Sequence, residues 1–451
     1  MSELQEEVRS PRQKLAELLE AGTYNQIRNL IEVLRPADIA ALLRSSPPKE
    51  RAIIWSLVDD EQQSEILQQV DEEIILDLLG DKTAEEIAQV LDNIGSDDDL
   101  IDILQHLPDT MTQQILQSMD TQDRERVESL LSYPEDTAGG MMDTDTISVR
   151  ARVTLDVVLR YLRRHSELPA GTDSIYVVNN NNEYLGQLPL TKLLVTDPSL
   201  TVREMMITDV EPIPATMPES EVAAMFERYD LVSAPVVDDD HKLLGRITID
   251  DVVDVIMDEA DHSLLGMAGL TEDEDPFAPI MRTARSRAFW LGTNLLTAFL
   301  ASGVINLFQE TIAKVVALAV LMPIVASMGG IAGSQTLTLV IRTMAQGDLI
   351  DSNRRWLTNR ELAVGAINGV LWGLLVAIGS AVVFHDKLLG FIIALALIIN
   401  MTIGALAGAL LPAILRAMRI DPAIAGTVVL TTITDCVGFM SFLGLATIFY
   451  A

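Results

Sequence analysis

From about residue 285 the chain consists of five apolar stretches, at about 288–308, 312–345, 362–384, 388–415 and 425–450. Each is long enough to cross a bilayer, which takes about 20 helical residues. A backbone in lipid must satisfy its own hydrogen bonds, so stretches of this kind are helices. Residues 285–451 are therefore expected to form an all-α, five-helix transmembrane domain. Arg282, Arg285 and Arg287 precede the first span, Arg342, Arg354, Arg355 and Arg360 flank the second connection, and Arg416 and Arg419 lie in the fourth. The opposite side has only Lys314 and Lys387. The positive-inside rule then places the N-terminal half in the cytoplasm and the C-terminus outside, in a bacterial-type inner (plasma) membrane surrounded by lipid.

Charge separates the chain into two parts. Residues 1–280 carry 58 Asp and Glu against 21 Lys and Arg, net −37, whereas residues 281–451 carry 7 against 11, net +4. An acidic soluble half repels nucleic acid and anionic lipid and attracts cations. Its solubility alone would account for much of the charge, but not for its confinement to one half. The single cysteine, Cys436, excludes an intrachain disulfide. The opening residues lack a basic region followed by an apolar run, so no cleavable signal peptide is expected.

Residues 1–10 read as a disordered tail. Over 11–132 short amphipathic helices follow one another, with apolar residues at spacings of three and four and with Pro, Gly, Asp or Ser at the breaks. ADIAALL and EEIAQVL superpose at an offset of 48 residues. A solenoid-like all-α N-domain is expected, in which stacking buries the apolar stripes.

A clearer repeat occupies 137–260. IYVVNNNNEYLGQLPLTKLL at 175–194 aligns with APVVDDDHKLLGRITIDDVV at 234–253, at a constant offset of 59. Each copy reads as strand, Asn/Asp-rich turn, strand and helix, preceded by a further helix. This resembles a pair of cystathionine-β-synthase (CBS) domains, at 137–200 and 201–260, an α/β fold that usually serves as a regulatory sensor. The resemblance implies an adenosine-binding run, matched by Gly245, Thr248 and Asp251 in the second copy. Pro189 and Lys192 replace the Thr and Asp in the first, so it implies at most one site for ATP or another adenine nucleotide.

The second copy runs into an acidic helix. Asp250, Asp251, Asp254, Asp258, Glu259 and Asp261 crowd it, and like charges four residues apart repel. Such a helix gains from bound cations or a basic partner; the alternative is an exposed acidic helix leading to a disordered EDED linker. Residues 261–284 are read as a connecting helix and linker.

Within the last span, TVVLTTITDCVGF places Thr427, Thr431, Asp435 and Gly438 at spacings of four, four and three, with Thr434 beside them. An ionisable side chain at that depth is costly unless it faces water, a partner or an ion. Two readings stand side by side: an ion path, or a threonine-rich helix interface with one hydrogen-bonded aspartate. Pro323 and GGIAGSQT at 329–336 similarly permit a break lining a cavity, or close helix packing. The five histidines show no metal-binding spacing, and neither GxxxxGK[ST] nor GxSxG occurs, so no catalytic residue is assigned. Oxygen ligands without nitrogen or sulfur suit hard cations. Mg²⁺ keeps its water, which fits a path with one carboxylate per subunit.

The ordered assembly of helical N-domain, YPEDTAGG at 133–140, CBS pair, acidic helix, five spans and LTTITDCVGF resembles the MgtE family of Mg²⁺ channels and transporters. The resemblance covers nearly the whole chain. It implies a homodimer with Asp435 binding the permeating ion between subunits, and closure by cytosolic Mg²⁺ bridging the N-domain, CBS pair and connecting "plug" helix. Carried over by position, Asp250 or Asp251, Asp230, Asp421 and Glu85 are implied regulatory ligands, beside Asp254, Asp258 and Glu259. Departures are Ile331, Ser334, Ala405 and Thr427 at positions where the family pattern has asparagine, and His262 and Ser263 where acids are expected.

The expectation is thus a multidomain membrane protein that imports Mg²⁺ down its gradient and is not an enzyme. The alternatives are another divalent cation such as Co²⁺, or a CBS-regulated nucleotide sensor without transport. A CBS-regulated anion channel would need a cationic pore lining, for which the spans offer Asp435 instead. A membrane metalloenzyme would need an acid–base pair within the spans.

Overall fold

The structure, a computed structural model, describes residues 24–450 apart from 81, 92–93, 95–96, 166, 271–274, 346–348 and 350. The expected tail at 1–10, the segment 11–23 and most of the EDED run lie outside the described residues. Two compact units are present: Met1–Met257 with Asp275–Pro279, and Asp258–Glu274 with Ile280–Ala451.

Among the described residues of the first unit, nine short helices follow in succession: α1 (Tyr24–Ile31), α2 (Pro36–Arg44), α3 (Pro48–Trp55), α4 (Asp60–Leu67), α5 (Glu72–Leu79), α6 (Ala84–Leu91), α7 (Asp97–His106), α8 (Asp109–Ser118) and α9 (Thr121–Leu130). Proline at the first position starts α2 and α3, where its missing N–H costs nothing. Helices α2, α4, α6 and α8 stack in one row, and α3, α5, α7 and α9 in another. This is the two-layered solenoid implied by the repeat. Its offset of 48 is visible in the buried faces, since Ile39, Leu42 and Leu43 of α2 correspond to Ile87, Val90 and Leu91 of α6.

The second repeat gives β1 (Ser148–Arg150), α10 (Leu155–Leu162), β2 (Ser174–Val178), β3 (Tyr184–Pro189) and α11 (Leu190–Val195). After the short α12 (Val202–Met205) come β4 (Ile213–Pro214), α13 (Glu219–Tyr229), β5 (Ser233–Val237), β6 (Leu243–Thr248) and α14 (Ile249–Gly266). Each sheet has three strands, the first two parallel and the last two antiparallel. Ser174 pairs with Pro189 and Ser233 with Thr248, and each hairpin slips register at the same place, between Val177 and Val178 or Val236 and Val237. The offset of 59 therefore holds down to the bulge.

The first copy has its own core around Leu155, Ile175 and Leu188. Phe226, Val236, Ile247 and Val252 of the second copy instead join one apolar cluster with Leu100 and Leu104 of α7. That shared core brings α7 to the start of α14. The helix α14 passes through residue 260 without interruption, so the connecting helix expected to begin at 261 is the continuation of α14.

The second unit contains α15 (Ile280–Asn306), α16 (Gln309–Lys314), α17 (Ala317–Ala345), α18 (Asp351–Phe384), α19 (Lys387–Ala417) and α20 (Pro422–Tyr450). Five of these are long and apolar enough to cross a membrane. At the centre, α19 packs on α17, α18 and α20, whereas α15 lies mainly against α20 and is largely exposed. The second apolar segment differs from the broken helix that Pro323 and the glycines permit. It divides into α16 and an unbroken α17 with Pro323 inside. The glycines serve packing: a Cβ at Gly404 would lie 2.6 Å from the Gly329 carbonyl oxygen, and one at Gly408 would lie 2.4 Å from that of Gly333. Side chains at these positions would force the backbones apart.

Candidate functional site

The start of α14 is held by the side chain of Asp251. The Thr248 amide and hydroxyl donate to Asp251 Oδ2 at 3.1 and 2.8 Å, which satisfies groups that a helix N-terminus leaves open. Gly245 is needed just before it, because a Cβ there would lie 2.6 Å from the Asp143 carbonyl oxygen. Asp143 and Arg246 exchange backbone hydrogen bonds at 2.9 Å in both directions. Gly245, Thr248 and Asp251 are thus brought together, and in this structure their mutual contacts shape the β6–α14 turn.

The capped carboxylate faces a second acidic helix. The charge of Asp251 acts on Asp98 of α7, and Asp98 is 7% exposed. Burial, then the charges of Asp251 and its other neighbours, pushes the Asp98 carboxyl well above its ordinary range. Burial also raises Asp99 to about 6, with Asp251 and Asp143 adding to the effect. Burial and Glu135 raise Asp102 to about 7. Asp143 and Asp251 are shifted upward by burial as well. Arg126 Nε stands 3.3 Å from the flanking Asp97, and Arg246 stands 3.3 Å from Asp143 at the edge of the group. Asp98, Asp99, Asp102, Asp143 and Asp251 thus form one cluster joining the helical domain to the second CBS copy. The donor set is carboxylate oxygen, which suits a hard divalent cation. Among the described residues, no three His, Cys, Asp or Glu side chains are placed to hold an ion directly, so water would complete the coordination of any ion bound here.

The other expected regulatory residues are dispersed. Asp250 and Asp254 are exposed at the edge of this cluster, with the Asp254 carboxyl shifted upward by partial burial and by Asp250. Asp258 and Glu259 are exposed farther along α14. Asp230 occupies the left-handed C-cap of α13, with φ of 50°. Asp421 accepts from the Ala423 amide at 2.6 Å and contacts His262 Nε2 at 2.5 Å, a partner that the sequence does not reveal. Glu85 is exposed in the first turn of α6.

In the membrane unit, α20 buries Gly426, Leu430, Thr434, Gly438 and Phe442 as one face. Thr427, Thr431 and Asp435 occupy the adjoining face and remain partly or fully exposed. Thr434 is fully buried, and its hydroxyl donates to the Thr431 carbonyl at 3.1 Å. Gly438 also turns inward rather than joining the Asp435 stripe. The Thr431 hydroxyl donates to the Thr427 carbonyl at 2.9 Å, which leaves its lone pairs available to water or a cation. Of the departures from the family pattern, Ile331 is exposed and Ala405 is buried.

Two polar residues of the spans escaped the sequence reading. Asn400 is fully buried and donates to the Val325 carbonyl at 2.8 Å. It lies where Cβ atoms at Gly329 and Gly438 would fall 2.1 and 2.6 Å from its Nδ2. Glu361 is buried and accepts from the Thr336 hydroxyl at 3.1 Å and from Arg360 at 2.6 Å. Asn400 stands in the sequence within an apolar run, as Asp435 does, whereas Glu361 follows the polar Thr358, Asn359 and Arg360 and gives no such signal.

Comparison with known proteins places these parts in one family. A family model described as divalent cation transporter matches residues 322–445. One described as MgtE intracellular N domain matches 34–136, and the CBS domain model matches 202–258. The magnesium transporter MgtE of Bacillus subtilis (strain 168) is 30% identical over 432 residues, covering 96% of each chain. That of Thermus thermophilus is 30% identical over 437 residues, covering 96% of this chain and 97% of its own. Among solved structures, the cytosolic domain of the Mg²⁺ channel MgtE in complex with ATP is 32% identical, covers 54% of this chain and 99% of its own, and has a TM-score of 0.49. With an N-terminal helical stack, a CBS pair and five membrane-length helices in that order, the chain belongs to the MgtE family of magnesium transporters.

Proposed function

We propose that the protein is a homodimeric Mg²⁺ channel whose cytosolic half closes the path when Mg²⁺ binds its acidic cluster. Asp435, with Thr431 and Thr427 beside it, contributes one carboxylate per subunit to a path for a hydrated cation. The observation that carries the regulatory part is the juxtaposition of Asp98, Asp99 and Asp102 of α7 with Asp251 of α14, whose burial and charges act on one another. Carboxyls buried this close together hold protons that isolated ones would release. A divalent cation replaces those protons and ties α7 to α14. Without cation, ionisation of the cluster forces the helical domain and CBS pair apart, over a range limited by screening to about 8–10 Å. The same balance would operate with Co²⁺, so selectivity rests on flux.

Limited proteolysis of the full-length protein in detergent tests this reading. Mg²⁺ is expected to protect the soluble half, and Asp250→Ala with Asp251→Ala to weaken the protection. Equal protection in that variant would remove the bridging role. An adenine nucleotide at Gly245, Thr248 and Asp251 is the second use of this turn, supported by the residue pattern; it would draw on the same Asp251 carboxylate and so compete with the bridge.

A further inference from the structure

A cleft of about 350 Å³ opens in the helical domain, far along the chain from the acidic cluster, with Arg51, Trp55, Gln63, Asp77 and Lys82 in its lining. Arg51 is 1% exposed. Its Nε donates to the Leu43 carbonyl at 2.9 Å and one terminal nitrogen donates to Asp275 at 2.6 Å, but its other terminal nitrogen is buried without a hydrogen-bond partner among the described residues. The indole nitrogen of Trp55, a residue 7% exposed, is likewise buried and without one. Lys82 stands 5.4 Å from the centre of the Trp55 ring and donates to Gln63 Oε1 at 2.9 Å, with further ammonium hydrogens to offer.

Two buried donors without acceptors, in one cleft, are costly to leave unmet, at about 1–3 kcal/mol each. Both supply only hydrogens, as does Lys82, so the missing group is an acceptor. A guanidinium beside an ammonium selects an oxyanion. Asp77, whose Oδ2 is 3.8 Å from Arg51, adds one acceptor on the rim, where it suits a hydroxyl. The cleft exceeds the size of a bare phosphate ion. We propose that it binds a small hydroxyl-bearing oxyanion, a phosphate ester or a carboxylate, with Arg51 and Trp55 donating to the anionic oxygens and Lys82 closing over them. This site is separate from the cation cluster and from the Gly245–Asp251 turn.

The test is calorimetric titration of the full-length protein in detergent with glycerol 3-phosphate, with lactate, and with neutral glycerol. One saturable equivalent per chain is expected for at least one of the two anions, and none for glycerol; which anion binds decides between phosphate and carboxylate. Trp55→Phe keeps the ring and removes the donor, and Lys82→Gln removes the charge; each is expected to weaken binding tenfold or more. Thr248→Ala, at the other turn, should leave it unchanged. Absence of saturable binding by either anion, or equal binding in both cleft variants, overturns the proposal.

Discussion

Asp98 of α7 lies buried within reach of the charge of Asp251 of α14, although the two are 153 residues apart in the sequence. Each is also fixed from behind: Asp251 by Thr248, and α7 by the apolar core it shares with the second CBS copy. Their proximity therefore records how closely the helical domain approaches the CBS pair.

That proximity predicts how stability depends on pH. In the unfolded chain these aspartates lose their protons near pH 3.9, whereas folding raises Asp99 to about 6, Asp102 to about 7 and Asp98 further up. The folded form thus holds protons that the unfolded form has released. Stability conferred at low pH is lost as pH rises from about 4 through the folded values. Full-length protein in chelator should show a melting temperature that falls from pH 5 to pH 8, and Mg²⁺ should restore it most at pH 8. Asp98→Asn should raise the chelator value at pH 8 by about 2–4 °C, the shift that about 1 kcal/mol gives in a domain of this size. A Mg²⁺ effect larger at pH 5 than at pH 8 would contradict the proton–cation exchange.

The helix cap supplies a separate prediction. Thr248→Ala should cost about 1 kcal/mol by removing a partner of Asp251, while Thr248→Ser, which retains the hydroxyl, should cost less. Thermal unfolding of the full-length protein checks the order of the two.

In the membrane unit, Gly438→Ala would place a methyl 2.6 Å from Asn400 Nδ2. Overpacking of this kind costs about 1–3 kcal/mol, seen as a lower melting temperature in detergent. Because the clash is with the side chain of Asn400, adding Asn400→Ala should recover part of the loss. Strictly additive losses in the double variant would show that the two positions do not couple.

The repeat at offset 59 was legible to the level of a bulge, because the sequence periodicity of a hairpin states both its register and its turn. The solenoid was legible for a similar reason, since its apolar stripes recur. What the sequence could not show was which faces meet. DDDL at 97–100 reads as the start of one amphipathic helix, and nothing in it names Asp251 as the partner of Asp98. Spacing put Gly438 on the stripe with Asp435, whereas packing against Asn400 turns it inward. The glycines of 329–336 permitted either a break or close packing, and the choice depended on α19 supplying Gly404 and Gly408 across from them.

The central claim is that Asp435 carries the ion. Mg²⁺ influx into proteoliposomes containing the full-length protein, compared with Asp435→Ala reconstituted at equal amount, tests it most directly. The account predicts that influx falls to the level of protein-free vesicles while the variant retains its elution volume and melting temperature. Mg²⁺ influx through Asp435→Ala at the rate of the unaltered protein would contradict it.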